Sequence, residues 1–370
     1  MGYTRNDLLC VAKRFNNQKR GYLLVNPLQG KHLPVNPGVA LNMMRELGRK
    51  LAAVCGEARL VIAFAETATA IGAEVAAELS PEGAYITTTR EPLPEGSYLK
   101  FSEEHSHAVE QRLSVARLAE WLNKTPTVIL LDDELSTGRT LRNMAQKLRT
   151  VFPRLKEKKL VAASIINRLT EENRRALTQE GIETVSLLTM PSEDYERALA
   201  TISVREALPP PPLSGEWQSI SSAHPLPDFR QGIVIGEYAA ACQRLSEEIY
   251  ASRQPVAAGK ILVLGTEECM WPALRFGQYL TAKVPKAQIF CHATTRSPIG
   301  LSEASDYPIT SGYLLPGFYA ASRHTYIYNL AAYDQVYILT DAHPPNKEAM
   351  AALAAALNEN NCRQIHLWEV

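Results

Sequence analysis

One stretch constrains this chain more than any other: Val128 to Thr140, VILLDDELSTGRT. Val128, Ile129, Leu130 and Leu131 form an unbroken apolar run, the pattern of a strand buried on both faces of a parallel sheet. Two adjacent carboxylates follow, Asp132 and Asp133, then a hydroxyl-rich loop, Ser136-Thr137-Gly138-Arg139-Thr140. Leu141, Met144, Ala145, Leu148 and Phe152 then recur at helical spacing. In open α/β sheets, ligands bind just past the carboxyl ends of such strands. A helix start there offers free backbone N–H groups and the positive end of the helix dipole to a phosphate. Gly138, without a Cβ, allows close approach. The acid pair behind it supplies acceptors for vicinal hydroxyls. The layout therefore suits a sugar 5-phosphate. It is not a P-loop, since no Gly-Lys-Ser/Thr follows. The plainer reading is a surface turn whose carboxylates cap the helix.

The rest of the chain alternates strands and helices, which indicates a doubly wound, mostly parallel α/β sheet. Residues 1–20 read as a peripheral helix or arm, and 21–25 as a strand ended by Asn26-Pro27. Val39 to Val54 is an amphipathic helix through Met43, Met44, Leu47 and Leu51. Arg59 to Ala65 is a buried strand opening into Glu66-Thr67-Ala68-Thr69 and a small-residue helix. Ala84 to Thr88 is a short strand ending at Thr89-Arg90. The segment after it, with Pro92, Pro94 and Gly96, reads as a long loop that carries His105 and His107. A loop of that length inside a domain points to a functional lid. The two histidines share a face if extended, but this stretch supplies too few ligands for zinc. Further strands are expected at 160–166 and 183–188, with a helix at 171–177.

Pro209 to Pro212 reads as a linker, dividing the chain into 1–208, 209–213 and 214–370. Beyond it the order of elements recurs. Arg230–Ile235 echoes Arg20–Val25, and Lys260–Gly265 opens into Thr266-Glu267-Glu268-Cys269. The strand Ala287–Cys291 ends in His292-Ala293-Thr294-Thr295-Arg296-Ser297, and Val336–Asp341 takes the place of the acidic strand. There the copy departs: Asp341 is followed by Ala342-His343-Pro344-Pro345, with no acid pair, no Thr-Gly and two residues that lack a backbone donor. The second half is thus expected to keep the fold and lose the phosphate cup. Arg296 and its hydroxyl neighbours suit an anion, or else a structural ion pair. Cys269, Cys291 and His292 read as buried structural groups, with a Cys/His nucleophile as the alternative.

Lys plus Arg and Asp plus Glu both number 39, so bulk charge points to neither nucleic acid nor membrane. No apolar run reaches the length of a membrane span, and the N-terminus has no secretory core. Six scattered cysteines without a CxxC pair suit a reducing cytoplasm.

The stretch VILLDDELSTGRT resembles the PRPP-binding signature of type I phosphoribosyltransferases, with Arg139 standing where a small residue is common. With ETATAIG, TTTRE, EEHSHA and TTRSPIG, the chain resembles a phosphoribosyltransferase fused to a TRSP domain, a family found beside bacterial tellurium-resistance genes. The resemblance implies a phosphoribosyltransferase-like α/β sheet followed by a degenerate second copy. It implies Mg²⁺-dependent transfer of ribose 5-phosphate from PRPP to a base-like nitrogen acceptor, with loss of pyrophosphate. Ser136 to Thr140 would then hold the 5-phosphate. Asp132 and Asp133 would hold the ribose hydroxyls and, directly or through water, Mg²⁺. Glu66, Thr67, Ala68, Thr69 and Arg90 would hold pyrophosphate, under a closing loop with His105 and His107. Glu267, Glu268, Thr294, Thr295, Arg296 and Ser297 form the matching candidate site of the second domain. A homodimer is compatible with the resemblance. Two other readings are a PRPP sensor or scaffold without chemistry, and a ribose-phosphate hydrolase or lyase whose second domain supplies the reactive group.

Overall fold

The computed structural model of the protein describes residues 2–15, 20–93, 98–101, 111–212 and 218–370. They divide into two compact α/β units. The first comprises Met1–Arg5, Asn42–Glu193 and Pro227–Ala240; the second comprises Asn6–Leu41, Asp194–Leu226 and Ala241–Val370. This division differs from the expected 1–208 and 214–370. Residues 6–41 belong to the second unit because Cys10–Lys13 pairs antiparallel with Tyr22–Val25. The apolar face of that hairpin, Ala12, Leu23 and Val25, joins a core with Ile299, Leu301, Ile309 and Tyr328. The expected linker also lies in the second unit: Leu208 bridges Tyr313, and its carbonyl accepts from Leu314 N at 3.0 Å. Residues 227–240 go to the first unit.

The first unit is built on β1 (Ala58–Ala63), β2 (Ala84–Thr87), β3 (Thr127–Leu135), β4 (Lys159–Asn167), β5 (Ile182–Thr189) and β6 (Ile233–Val234). Their order is β6-β2-β1-β3-β4-β5, parallel except for β6, which runs antiparallel to β2. The chain crosses from β1 to β2 in one direction and returns to β3 in the other. The reversal lies between β1 and β3, and such a switch point opens a crevice at the carboxyl ends of the strands. Helices α1 (Pro37–Cys55, from Asn42 on), α2 (Thr69–Leu79), α3 (Leu118–Lys124), α4 (Arg139–Val151) and α5 (Glu171–Gln179) complete the unit. Leu141, Met144, Ala145 and Leu148 of α4 are buried as their spacing requires. The small residues of α2 have a steric cause: a Cβ on Gly72 would lie 2.4 Å from that of Ala63 on β1. The expected loop after β2 contains a hairpin, Tyr98–Phe101 with Gln111–Ser114.

The second unit carries β7 (Gly259–Gly265), β8 (Ala287–Ala293), β9 (Gln335–Thr340) and β10 (Ile365–Glu369). Ile220–Ser221 adds a short strand beside β10, giving the order β8-β7-β9-β10-(220–221), all parallel. Helices α6 (Ile235–Ser252, from Ala241 on), α7 (Met270–Lys283) and α8 (Lys347–Glu359) accompany it. A hairpin, Gly312–Pro316 with His324–Tyr328, follows β8 as the Tyr98–Ser114 hairpin follows β2. The second, first, third and fourth core strands thus lie in the same sequence in both units. The echo expected at 230–235 does not hold as a second-unit strand, since only Ile233–Val234 is extended and it pairs with β2. No described helix is long and apolar enough to cross a membrane.

Candidate functional site

Two turns meet at the switch point of the first unit. The turn after β1 runs Phe64-Ala65-Glu66-Thr67-Ala68, with a cis peptide between Ala65 and Glu66. It is held from below: Phe64 N donates to Leu131 O of β3 at 2.9 Å, and Ala65 N donates to Thr88 Oγ1 at 2.9 Å. Thr88 Oγ1 in turn donates to Gln111 Oε1 at 2.5 Å. Thr69 Oγ1 donates to Glu66 O at 3.0 Å, which tightens the start of α2. Thr67 is half-buried at the turn's tip, whereas Glu66, Ala68 and Thr69 are buried.

The second turn follows β3. That strand continues through the acid pair to Leu135, so Asp132 and Asp133 sit on the strand rather than past its end. Neighbours on a strand face opposite ways. Asp132 Oδ1 accepts from Asp133 N at 2.9 Å, and Asp133 Oδ1 accepts from Thr67 Oγ1 at 2.9 Å. The second contact joins the two predicted halves of one site across 66 residues of chain. Gly138 stands at the N-cap of α4 with φ +69°, a left-handed conformation that favours glycine. A Cβ there would also lie 3.1 Å from Leu177 Cδ1. The first turn of α4 has no acidic residue, so the positive end of its dipole is unopposed. Ser136, Thr137 and Thr140 are half-buried around it, and Arg139 is exposed. Thr137 Oγ1 accepts from Arg139 N at 3.4 Å.

Arg90 lies just past β2, beside Thr89, whose backbone exchanges two 2.8 Å hydrogen bonds with Arg112 of the hairpin. His105 and His107 lie outside the described residues. One pair escaped the sequence reading. Glu134, between the acid pair and the phosphate loop, makes an ion pair with Arg168 just past β4. Arg168 also donates to Ser192 Oγ at 2.9 Å, and only 6% of it is exposed. Its signal was faint: Glu134 ends a run of three carboxylates on the strand, and a carboxylate that folding carries inward demands a cation. A separate cavity of about 530 Å³, between Leu99–Phe101 and the outer face of α4, contains none of the residues singled out from the sequence.

Among the described residues no group of three or more His, Cys, Asp or Glu side chains converges as a metal cage. The acid pair suits Mg²⁺ nevertheless. That ion keeps several waters and takes one or two carboxylates together with substrate phosphates.

The second unit repeats four contacts of this frame. Thr266 N donates to Leu339 O at 3.0 Å, as Phe64 does to Leu131. Glu267 N donates to Thr294 Oγ1 at 2.8 Å, as Ala65 does to Thr88. The backbone of Thr295 pairs with Tyr326 of the hairpin, as Thr89 pairs with Arg112. Ser297 N donates to Thr295 Oγ1 at 3.2 Å, as Glu91 N does to Thr89 Oγ1 at 3.0 Å. Here, however, Arg296 is in an ion pair with Glu267, Nε to Oε2 at 2.6 Å, and stands 3.6 Å from Glu268. Past β9 the chain goes through a cis His343–Pro344 bond to Asn346, the N-cap of α8. Cys291 Sγ donates to Ala273 O, and burial raises its thiol far above the ordinary value. His292 Nε2 meets Tyr328 O at 2.7 Å, and burial lowers its pKa to about 4.

Residues 8–190 match the family model described as phosphoribosyl transferase, and residues 230–357 match the TRSP domain that lies C-terminal to it. No curated protein matches the chain. Among solved structures, it is similar to adenine phosphoribosyl transferase from Trypanosoma brucei, at 15% identity over 51% of this chain and 79% of that one, TM-score 0.36. It is also similar to the orotate phosphoribosyltransferase from Aeropyrum pernix, at 20% identity over 44% and 75%, TM-score 0.27. With the APRTase from Giardia lamblia it shares 14% identity over 50% and 96%, TM-score 0.36. At these scores the likenesses add nothing to the family match.

Proposed function

Since the chain belongs to the family that joins a phosphoribosyltransferase domain to a TRSP domain, we propose that its first unit transfers the ribose 5-phosphate of PRPP to a nitrogen acceptor and releases pyrophosphate. The observation that carries the reading is the Thr67–Asp133 hydrogen bond of 2.9 Å. It makes one site of the turn that would hold pyrophosphate and the acid pair that would hold the ribose.

In this reading the backbone N–H groups and hydroxyls from Ser136 to Thr140 bind the 5-phosphate at the dipole end of α4. Asp132 and Asp133 accept from the ribose hydroxyls and anchor hydrated Mg²⁺. When bound, the ion neutralises charge on the departing pyrophosphate. Glu66 to Thr69 and Arg90 line the pyrophosphate side. The C1–O bond to pyrophosphate breaks as the C1–N bond forms, and the acceptor nitrogen gives up its proton to solvent. The protein contributes positioning and charge complementarity, which suffice to lower such a barrier. Glu134 and Arg168 act as positioning residues, holding the strand end beneath Asp133.

The test is pyrophosphate release from PRPP and Mg²⁺ with a panel of purine and pyrimidine bases. We expect turnover with at least one base and its loss in Asp132→Asn/Asp133→Asn at unchanged thermal stability. Undiminished release in the folded double variant contradicts the assignment. Tight PRPP binding with no release from any base identifies a sensor instead.

A further inference from the structure

The second unit's version of the β1 turn is closed around a carboxylate of its own. The side chain of Glu267 is buried, with 1% of the residue exposed. Its Oε2 accepts from Arg296 Nε at 2.6 Å and Nη2 at 2.5 Å. Its Oε1 accepts from the backbone N–H groups of Phe318 at 2.7 Å and Tyr319 at 3.4 Å. A guanidinium and two convergent amides make a receptor for a carboxylate or a phosphate oxygen. In the first unit the residue at the equivalent backbone position is Ala65.

Burying that charge needs compensation. Arg296 and the fully buried Lys31 balance Glu267 and Glu268. Lys31 Nζ donates to Glu267 O at 2.7 Å and to Thr294 O at 3.1 Å, clamping the two turns that form the receptor floor. Glu267 adopts φ +48°, a left-handed conformation uncommon for a residue with a side chain. The turn is also one residue shorter than its counterpart, four between β7 and α7 against five between β1 and α2.

The amides that cap Glu267 come from the tip of the Gly312–Tyr328 hairpin. That tip is held at further points. Tyr319 Oη donates to Asp341 Oδ1 at 2.5 Å, Asn346 Nδ2 donates to Gly317 O at 3.0 Å, and Asn346 N donates to Phe318 O at 3.2 Å. Asp341 occupies the strand position of Asp133, so each unit uses this aspartate to hold a hydroxyl from a neighbouring turn.

We infer that Glu267 is an internal anion: it fills the second unit's anion receptor and latches the 317–319 tip over it, making this unit a closed pseudo-site that takes no phosphate-bearing ligand in the intact protein. Removing the side chain should open a receptor for small carboxylates.

The experiment is Glu267→Gly in the full chain, glycine being suited to the φ of +48°. Hydrogen exchange at residues 317–319 should speed up about a hundredfold, local opening being set by the latch. The melting temperature of the second unit should fall by roughly 10 °C, as expected when a buried ion pair loses one partner. Formate should restore part of both, and chloride at equal ionic strength should not. Wild-type exchange and melting contradict the latch, and equal rescue by chloride contradicts the receptor. If the glycine variant does not fold, Glu267→Gln keeps the shape and drops the charge. It should exchange at least about tenfold faster at 318–319, and wild-type exchange there contradicts the proposal.

Discussion

In the first unit, the turn after β1 sends a threonine hydroxyl to the carboxylate on β3. In the second, the turn after β7 sends a glutamate carboxylate to the arginine past β8. The backbone bonds beneath the two turns are the same. The difference lies in side chains and in one residue of length. One sheet order and hydrogen-bond frame thus carries two different arrangements of side chains, and fold alone says little about activity. The informative question is where each unit keeps its charges. The first buries one glutamate in its turn, Glu66, and leaves Asp132 and Asp133 half-exposed at the strand end, whereas the second buries both Glu267 and Glu268 against Arg296.

Substitution at matched positions is the sharpest way to break the comparison. Asp133→Asn should lower PRPP turnover by about a hundred- to a thousandfold, the usual loss of one charge-stabilising group. Asp341→Asn should leave turnover within roughly twofold, since the second unit performs no chemistry in this account. Steady-state pyrophosphate release checks both, and equal losses would erase the distinction between the units.

Next in size is the ion pair specific to the first unit. Glu134→Ala removes the carboxylate paired with Arg168, which is 6% exposed. It should cost about 3 kcal/mol in chemical denaturation, because the remaining charge stays buried. The residue following Asp341 in the second unit is Ala342, so no counterpart exists there.

Acid should separate the units as well. His292 takes the strand position of Ile86 and is held neutral, its pKa lowered to about 4 from 6.5 by burial. Between those values the unfolded chain binds the proton and the folded unit does not. Stability is therefore full above pH 6.5 and declines as the pH drops toward 4, by up to roughly 3 kcal/mol. His292→Gln should flatten that part of the pH profile, measured by denaturation midpoints. A first-unit transition equally sensitive to the substitution would contradict the assignment.

The smallest expected effects lie at the two helix starts. Gly138→Ala should cost about 1–2 kcal/mol, because φ is positive there, and should weaken phosphate binding. Asn346→Ala removes a side-chain cap to Glu348 N and a hydrogen bond to Gly317 O and should cost about 1–2 kcal/mol, with no effect on PRPP.

Much of this was legible from local pattern. The run Val128–Thr140 announced a buried strand, an acid pair and a glycine turn, and Gly138 has the conformation its residue type suggests. Prolines 344 and 345 announced a different turn past β9, one that leads to Asn346 at the N-cap of α8. What stayed hidden depended on distant partners. The Thr67–Asp133 bond spans 66 residues, and nothing local predicts which hydroxyl meets which carboxylate. For Arg296 an anion and a structural ion pair stayed open alike, because its partner, Glu267, is adjacent only after folding. The short strands 98–101 and 111–114 carry too few residues for a period to show. The membership of residues 6–41 in the second unit and 227–240 in the first is set by strand pairing and packing, which composition does not record.

The most direct measurement is the stoichiometry of PRPP binding by calorimetry in the presence of Mg²⁺. The account predicts one site per chain, abolished by Asp132→Asn/Asp133→Asn and unchanged by Asp341→Asn. Two sites per chain, or a single site that survives the acid-pair variant, would contradict it.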